Sequence, residues 1–300
     1  MNNDIKNFLQ EFLADIFENA CKDKWCDLND IKLQDCYNTT AAQKLYIIKY
    51  FGAYFCDYYS AYGDLFKLAK ENNIYDLNIK SIGVGSGIDL CALRAYLRND
   101  ASFGINYIGI DKVKWDIGSN LHLTIFSEQW SDGKGIVCQG LNEMTEREIQ
   151  QTNVFVFPKS LTDIETPQLI EFAKKIAKRG QEKIFFLNSY VCDGTTAFGV
   201  ENFQLIAAHI CEHGYKPMNG CCVENITRAE NPEEGLAKKF DFFKIPDQIT
   251  QATPELKKLC RHHEPIEASC RECNIGFYVM LKAKYIAYNT VGFYRPNRNA

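Results

Sequence analysis

Residues 78–88 read NIKSIGVGSGI, and residues 105–113 read INYIGIDKV. The first is a short apolar run that ends in glycines, so it reads as a buried strand followed by a tight turn. Gly83, Gly85 and Gly87 lie in that turn. Glycine there lets the backbone bend and lets a ligand approach with no Cβ in the way. IDLCALRAYLRN follows as a helix, and INYIGIDKV is a second apolar strand ending in Asp111. A carboxylate at that point can accept two hydrogen bonds from a ribose diol, the general logic of nucleotide-like sites at the carboxyl ends of parallel strands.

Working outward, GIVCQG (135–140) reads as a weaker strand and NVFVFPKS (153–160) as a strong one. TPQLIEFAKKIAKRG reads as a helix with Gly180 as a left-handed cap. KIFFLNSYV (183–191) is a strand, ENFQLIAAHICEHG a helix closed by glycine, and IGFYVMLKAKYI (275–286) the last strand. Strands alternating with helices at this spacing predict an α/β fold with a parallel sheet covered on both faces. Residues 2–20 and 41–73 read as helices, so residues 1–75 are expected to form an N-terminal helical cap on a domain spanning 76–300. In the second helix Tyr46, Tyr50, Tyr54, Tyr58 and Tyr62 step by four, as a packed face or as a wall over the site. Residues 223–274 break the rhythm with charge, proline and cysteine, and read as an insertion.

The glycine pattern separates two cofactor classes. A dinucleotide turn is G-x-G-x-x-G/A, its third small residue packing helix on strand. Here the pattern is G-x-G-x-G with Ile88 in the sixth position. This resembles the first motif of class I S-adenosylmethionine (SAM)-dependent methyltransferases, over roughly residues 78–222 and 275–288. The resemblance implies a doubly wound, seven-stranded Rossmann-like sheet, SAM as cofactor and methyl transfer as activity. Asp111 resembles the ribose-binding acid. It implies adenine contacts near Leu141 and Asn142, with Asn142 toward the exocyclic amine, and counts Phe157 among the cofactor contacts. Many family members carry an acid two residues before the first glycine to bind the methionine amine; here that residue is Ser81. A catalytically inactive SAM-fold regulator and a dinucleotide oxidoreductase are the alternatives.

In such a fold the fourth strand delivers residues to the methyl group, here Phe157-Pro158-Lys159-Ser160. That is neither the Asn/Asp-Pro-Pro-aromatic signature of amino methyltransferases nor a Pro-Cys nucleophile. Lys159 and Ser160 are the candidate catalytic residues, because positioning contributes most to transfer from a good leaving group. Lys159 would orient or neutralise the acceptor, or act as a base if desolvated. Asp163 reads as a helix start or a site acid, and Asn188, Tyr190 and Asp193 are expected at the cleft rim.

CRHHEPIEASCREC supplies Cys260, His263, Cys270 and Cys273 at zinc-compatible spacing, with His262 able to replace His263. A structural zinc and reduced, unligated thiols both fit. Thirteen cysteines in a chain of 300 residues with no signal-peptide pattern favour reduced thiols and a cytoplasmic location over a disulfide framework. No apolar run reaches membrane-spanning length. A net charge of -4 argues against a strongly basic nucleic-acid surface, while small molecule, protein and RNA all stay open as acceptors.

Overall fold

The computed structural model describes residues 39–97, 100, 102–115, 135–190, 196–218, 221–228 and 287–296. Its elements are α1 (Thr40–Glu71), β1 (Asp76–Ile82), α2 (Ile88–Leu97), β2 (Gly104–Asp111), β3 (Ile136–Cys138), α3 (Glu146–Gln151) and β4 (Val154–Pro158). There follow α4 (Thr166–Arg179), β5 (Lys183–Tyr190), α5 (Thr196–Glu212), β6 (Lys216–Pro217), β7 (Thr227–Arg228) and β8 (Ala287–Tyr294). Single 3-10 turns stand at Leu141–Glu143 and Leu161–Asp163.

The sheet runs in the order β3-β2-β1-β4-β5-β8-β6, with β7 also paired to β8. β1 to β5 are mutually parallel, and β8 runs antiparallel to β5, β6 and β7. This is the doubly wound methyltransferase-type sheet that the resemblance implies. The chain grows outward from β1 through β2 to β3, then returns to start β4 on the other side of β1. In sheets of this kind the ligand crevice lies where the order reverses, which here is beyond the carboxyl ends of β1 and β4.

Side-chain alternation along the strands assigns the two layers. Phe155 and Phe157 of β4, and Phe186 of β5, point toward α4 and α5, where Phe172 and Phe203 meet them. On the same face Lys80 of β1, almost fully buried, pairs with Glu148 of α3 at 2.9 Å. Thr145 and Glu148 cap α3 reciprocally, the hydroxyl accepting from Glu148 N and the carboxylate from Thr145 N. The opposite face is covered by α1 and α2. Phe51, Phe55, Tyr62, Leu65 and Phe66 of α1 are fully buried there, and Phe66 stacks on Tyr96 of α2.

Two sequence expectations are refined. Gly180 does end α4, but with φ -60 and ψ 156 it is not a left-handed cap. Its reason is space, since a Cβ would stand 2.5 Å from the Tyr215 hydroxyl and 2.7 Å from the Ile176 carbonyl. The strand that closes the sheet against β5 is Ala287–Tyr294, which the apolar pattern missed. Residues 275–286, 2–20 and the metal candidates Cys260, His262, His263, Cys270 and Cys273 lie outside the described residues. No described helix is long and apolar enough to cross a membrane.

Candidate cofactor and acceptor site

The turn after β1 is forced into a conformation that only glycine adopts freely. Gly83, Gly85 and Gly87 have φ of 69, 55 and 79. The turn is bound to the end of the neighbouring strand, Gly83 N donating to the Ile110 carbonyl at 2.8 Å. Asp111 completes the link, its Oδ2 accepting from Gly85 N at 2.7 Å and its Oδ1 from Val113 N at 2.8 Å. Burial raises the Asp111 carboxyl above the usual range, and the Val113 and Gly85 amides pull it back. Each oxygen accepts one of these bonds and keeps a lone pair for a further donor. Trp115 packs beside the loop, 3.7 Å from where a Cβ on Gly85 would stand.

The loop is also held from below. Ser160 is buried, donates from Oγ to the Ile82 carbonyl at 2.5 Å, and sits where a Cβ on Gly83 would collide with it at 2.5 Å. The structure therefore gives the Ser160 hydroxyl a backbone partner under the glycine loop rather than an open face toward an acceptor. Phe157 stands near the end of β4. It is fully buried, its ring packed edge-on against Phe172 in the core. Leu141 is buried and Asn142 exposed in the turn after β3.

Beneath the loop lies a buried carboxylate that the sequence reading passed over. Asp89, in the first turn of α2, is 1% exposed. Its Oδ2 accepts from Ser81 Oγ at 2.8 Å, Tyr107 OH at 2.8 Å and Tyr62 OH at 3.4 Å. Burial pushes it up to about 6 despite those bonds. Among the described residues its Oδ1 has no hydrogen-bond partner. Ser81 is thus bonded to a carboxylate that arrives from the helix. A carboxylate in that first turn also opposes the pyrophosphate that a dinucleotide would place at the start of α2.

At the end of β4, Lys159 holds φ 59, a left-handed conformation that costs a non-glycine residue. Its ammonium forms a buried ion pair with Asp57 of α1. It also donates to Ser189 Oγ at 2.8 Å and to the Tyr190 carbonyl at 3.2 Å, and stands over the rings of Tyr54 and Tyr58. All three N–H donors of the lysine are therefore committed. Asp57 also accepts from Ser189 Oγ at 2.6 Å, and its Oδ1 is buried with no partner among the described residues. Burial raises the Asp57 carboxyl, with Lys159 pulling it down.

The tyrosine row runs from Trp115 to Lys159. Tyr46 meets Trp115 edge-on at 5.3 Å, and the contacts continue through Tyr50 and Tyr54 to Tyr58 beside Lys159. Asn188 and Tyr190 are not on the rim: both are buried and bonded to Asn289 of β8. Asp163 is exposed, its carboxyl raised by partial desolvation, with Lys112 lowering it and Asp111 raising it. Asp193 lies outside the described residues.

No family model matches the sequence, and no curated protein matches it. Solved structures similar to it include the cyclopropane synthase MmaA2 from Mycobacterium tuberculosis, 10% identical, covering 73% of this chain and 78% of that one at a TM-score of 0.42. Another is a Burkholderia thailandensis 1,6-didemethyltoxoflavin-N1-methyltransferase with bound S-adenosylhomocysteine, 14% identical, covering 59% and 72% at 0.40. A third is the plantazolicin methyltransferase BpumL in complex with SAH, 11% identical, covering 96% and 99% at 0.39. The fold assignment rests on the strand order and on the reversed direction of β8, not on these likenesses.

Proposed function

We propose that the chain transfers a methyl group from SAM to an acceptor bound between the end of β4 and the tyrosine face of α1. One observation carries this reading: the left-handed glycine turn is tied to Asp111 at the point where the strand order reverses. The residues present fit SAM. The turn offers backbone without Cβ atoms, Asp111 keeps lone pairs for a ribose diol, and Asn142 is exposed on the adenine side. When bound, the sulfonium supplies an electrophilic methyl carbon.

What the chain supplies is geometry. Lys159 and Ser160 act by positioning in this reading. Ser160 fixes the height of the glycine turn, and Lys159 fastens α1 to the ends of β4 and β5 through Asp57. A lysine with three committed protons beside a carboxylate is a poor base and has no donor left for an acceptor. Holding the acceptor in line with the methyl group then contributes most of the rate.

The test is calorimetric titration of the purified chain with SAM, and with NADH in parallel. Saturable SAM binding that disappears in Gly85→Trp supports the reading, and a subsequent acceptor screen reads turnover. NADH binding without SAM binding contradicts it. SAM binding with no acceptor methylated from any cell fraction moves the chain to the inactive regulator class.

A further inference from the structure

The last turn of α5 and the residue that follows it bring together three metal-compatible side chains, His209, Glu212 and His213. Spacings of three and four residues bring them together on a helix. One ligand atom from each lies within 4.8 Å of the others, and the two imidazole centroids are 4.5 Å apart. Ligands on one tetrahedral zinc stand about 3.4 Å apart, so small side-chain rotations suffice.

The tautomer of His213 is already set for ligation. Its Nδ1 lies 2.8 Å from the His209 carbonyl, which can only accept, so Nδ1 carries the proton and Nε2 presents its lone pair. A second ring nitrogen donating to a backbone carbonyl is the usual outer-shell arrangement of a metal-bound histidine. His209 Nε2 is buried with no hydrogen-bond partner among the described residues. The helix also ends here, so the negative end of its dipole favours a cation.

We infer that His209, Glu212 and His213 form a site for a divalent transition metal of the zinc class. Two imidazoles and one carboxylate select zinc, cobalt, nickel or copper over calcium and magnesium, which prefer all-oxygen shells. The position assigns a structural role. α5 follows β5 and runs back toward the amino ends of the strands, where β6 pairs with Phe293 and Tyr294. The ion therefore stands at the opposite edge of the sheet from the glycine turn. It would fasten the α5–β6 turn, and the inference is independent of the methyl-transfer reading.

Cobalt is the probe, because its visible spectrum separates this thiol-free site from any cysteine site elsewhere in the chain. The full-length protein is titrated with Co2+ beside His213→Ala and Glu212→Gln. His213 is exposed, so its removal leaves the fold intact. The expected result is one equivalent of cobalt without a thiolate charge-transfer band, its affinity lower in His213→Ala by at least the roughly 10- to 100-fold that loss of an outer-shell partner costs. Zinc should raise the melting temperature of the parent more than that of His213→Ala. The inference is overturned if the parent binds no cobalt, if all bound cobalt shows the thiolate band, or if His213→Ala keeps the thiol-free equivalent at unchanged affinity.

Discussion

The two banks of the crevice are built on different principles. On the β1–β2 bank the contacts are local and made largely of backbone. The glycine turn and Asp111 are 26 residues apart and joined by main-chain donors. On the β4–β5 bank the contacts are between side chains and long-range. Lys159 and its partner Asp57 are separated by 102 residues and arrive from different layers of the fold. A backbone-built bank tolerates only glycine but asks little of its neighbours. A side-chain-built bank is sound only if both halves of a buried ion pair are present.

That contrast is most open to attack at the pair itself. Asp57→Ala leaves a buried ammonium without its counter-charge and should cost about 3–5 kcal/mol in urea unfolding. Asp57→Ala combined with Lys159→Met should recover most of that loss. A single variant within error of the parent would mean that the pair is solvated and the two banks are alike.

A smaller effect is expected from Asp89, which belongs to the backbone bank yet is a buried charge. Burial pushes its carboxyl up to about 6 in the folded chain, from the ordinary 3.8. Between those values the folded state holds more protons than the unfolded one. Stability from this group is therefore greatest below about pH 4 and falls as pH rises toward 6, by about 3 kcal/mol in total. Asp89→Asn should flatten that part of the stability–pH curve relative to the parent. An unchanged slope would show that Asp89 is not buried as a titrating group.

Asp111→Ala should leave the fold in place and weaken SAM binding by about 1.5–3 kcal/mol, roughly 10- to 150-fold, the worth of hydrogen bonds to a charged group. Equal affinity in calorimetry would remove the ribose assignment. The smallest effect is expected at Asn142. Its exposed amide should contribute about 1 kcal/mol to SAM affinity, lost on replacement by alanine and read by calorimetry.

The backbone bank was legible in the sequence because each signal is local. The apolar runs located β1, β2, β4 and β5 with ends up to three residues off, and the glycines and Asp111 announced their turn. Strand β8 was not legible. AYNTVGFY carries Asn289, Thr290 and Gly292 among its apolar residues. Among the described residues the buried Asn289 side chain is satisfied by Asn188, Tyr190 and the Val223 carbonyl, all distant in sequence. Asp57 was hidden in the same way, one of three acids in a tyrosine-rich helix, and so was Asp89, whose donors come from α1, β1 and β2.

By itself the sequence determined the α/β alternation, the glycine turn and the acid that follows it, because these depend on strand periodicity and on backbone conformations that one residue type permits. Only the tertiary structure decided where α1 lies, that Ser160 and Phe157 are spent inside the fold, and that Lys159 is neutralised by Asp57. Those outcomes depend on which side chains meet across layers, and the energy of a buried charge or hydroxyl is set by partners that no local pattern names.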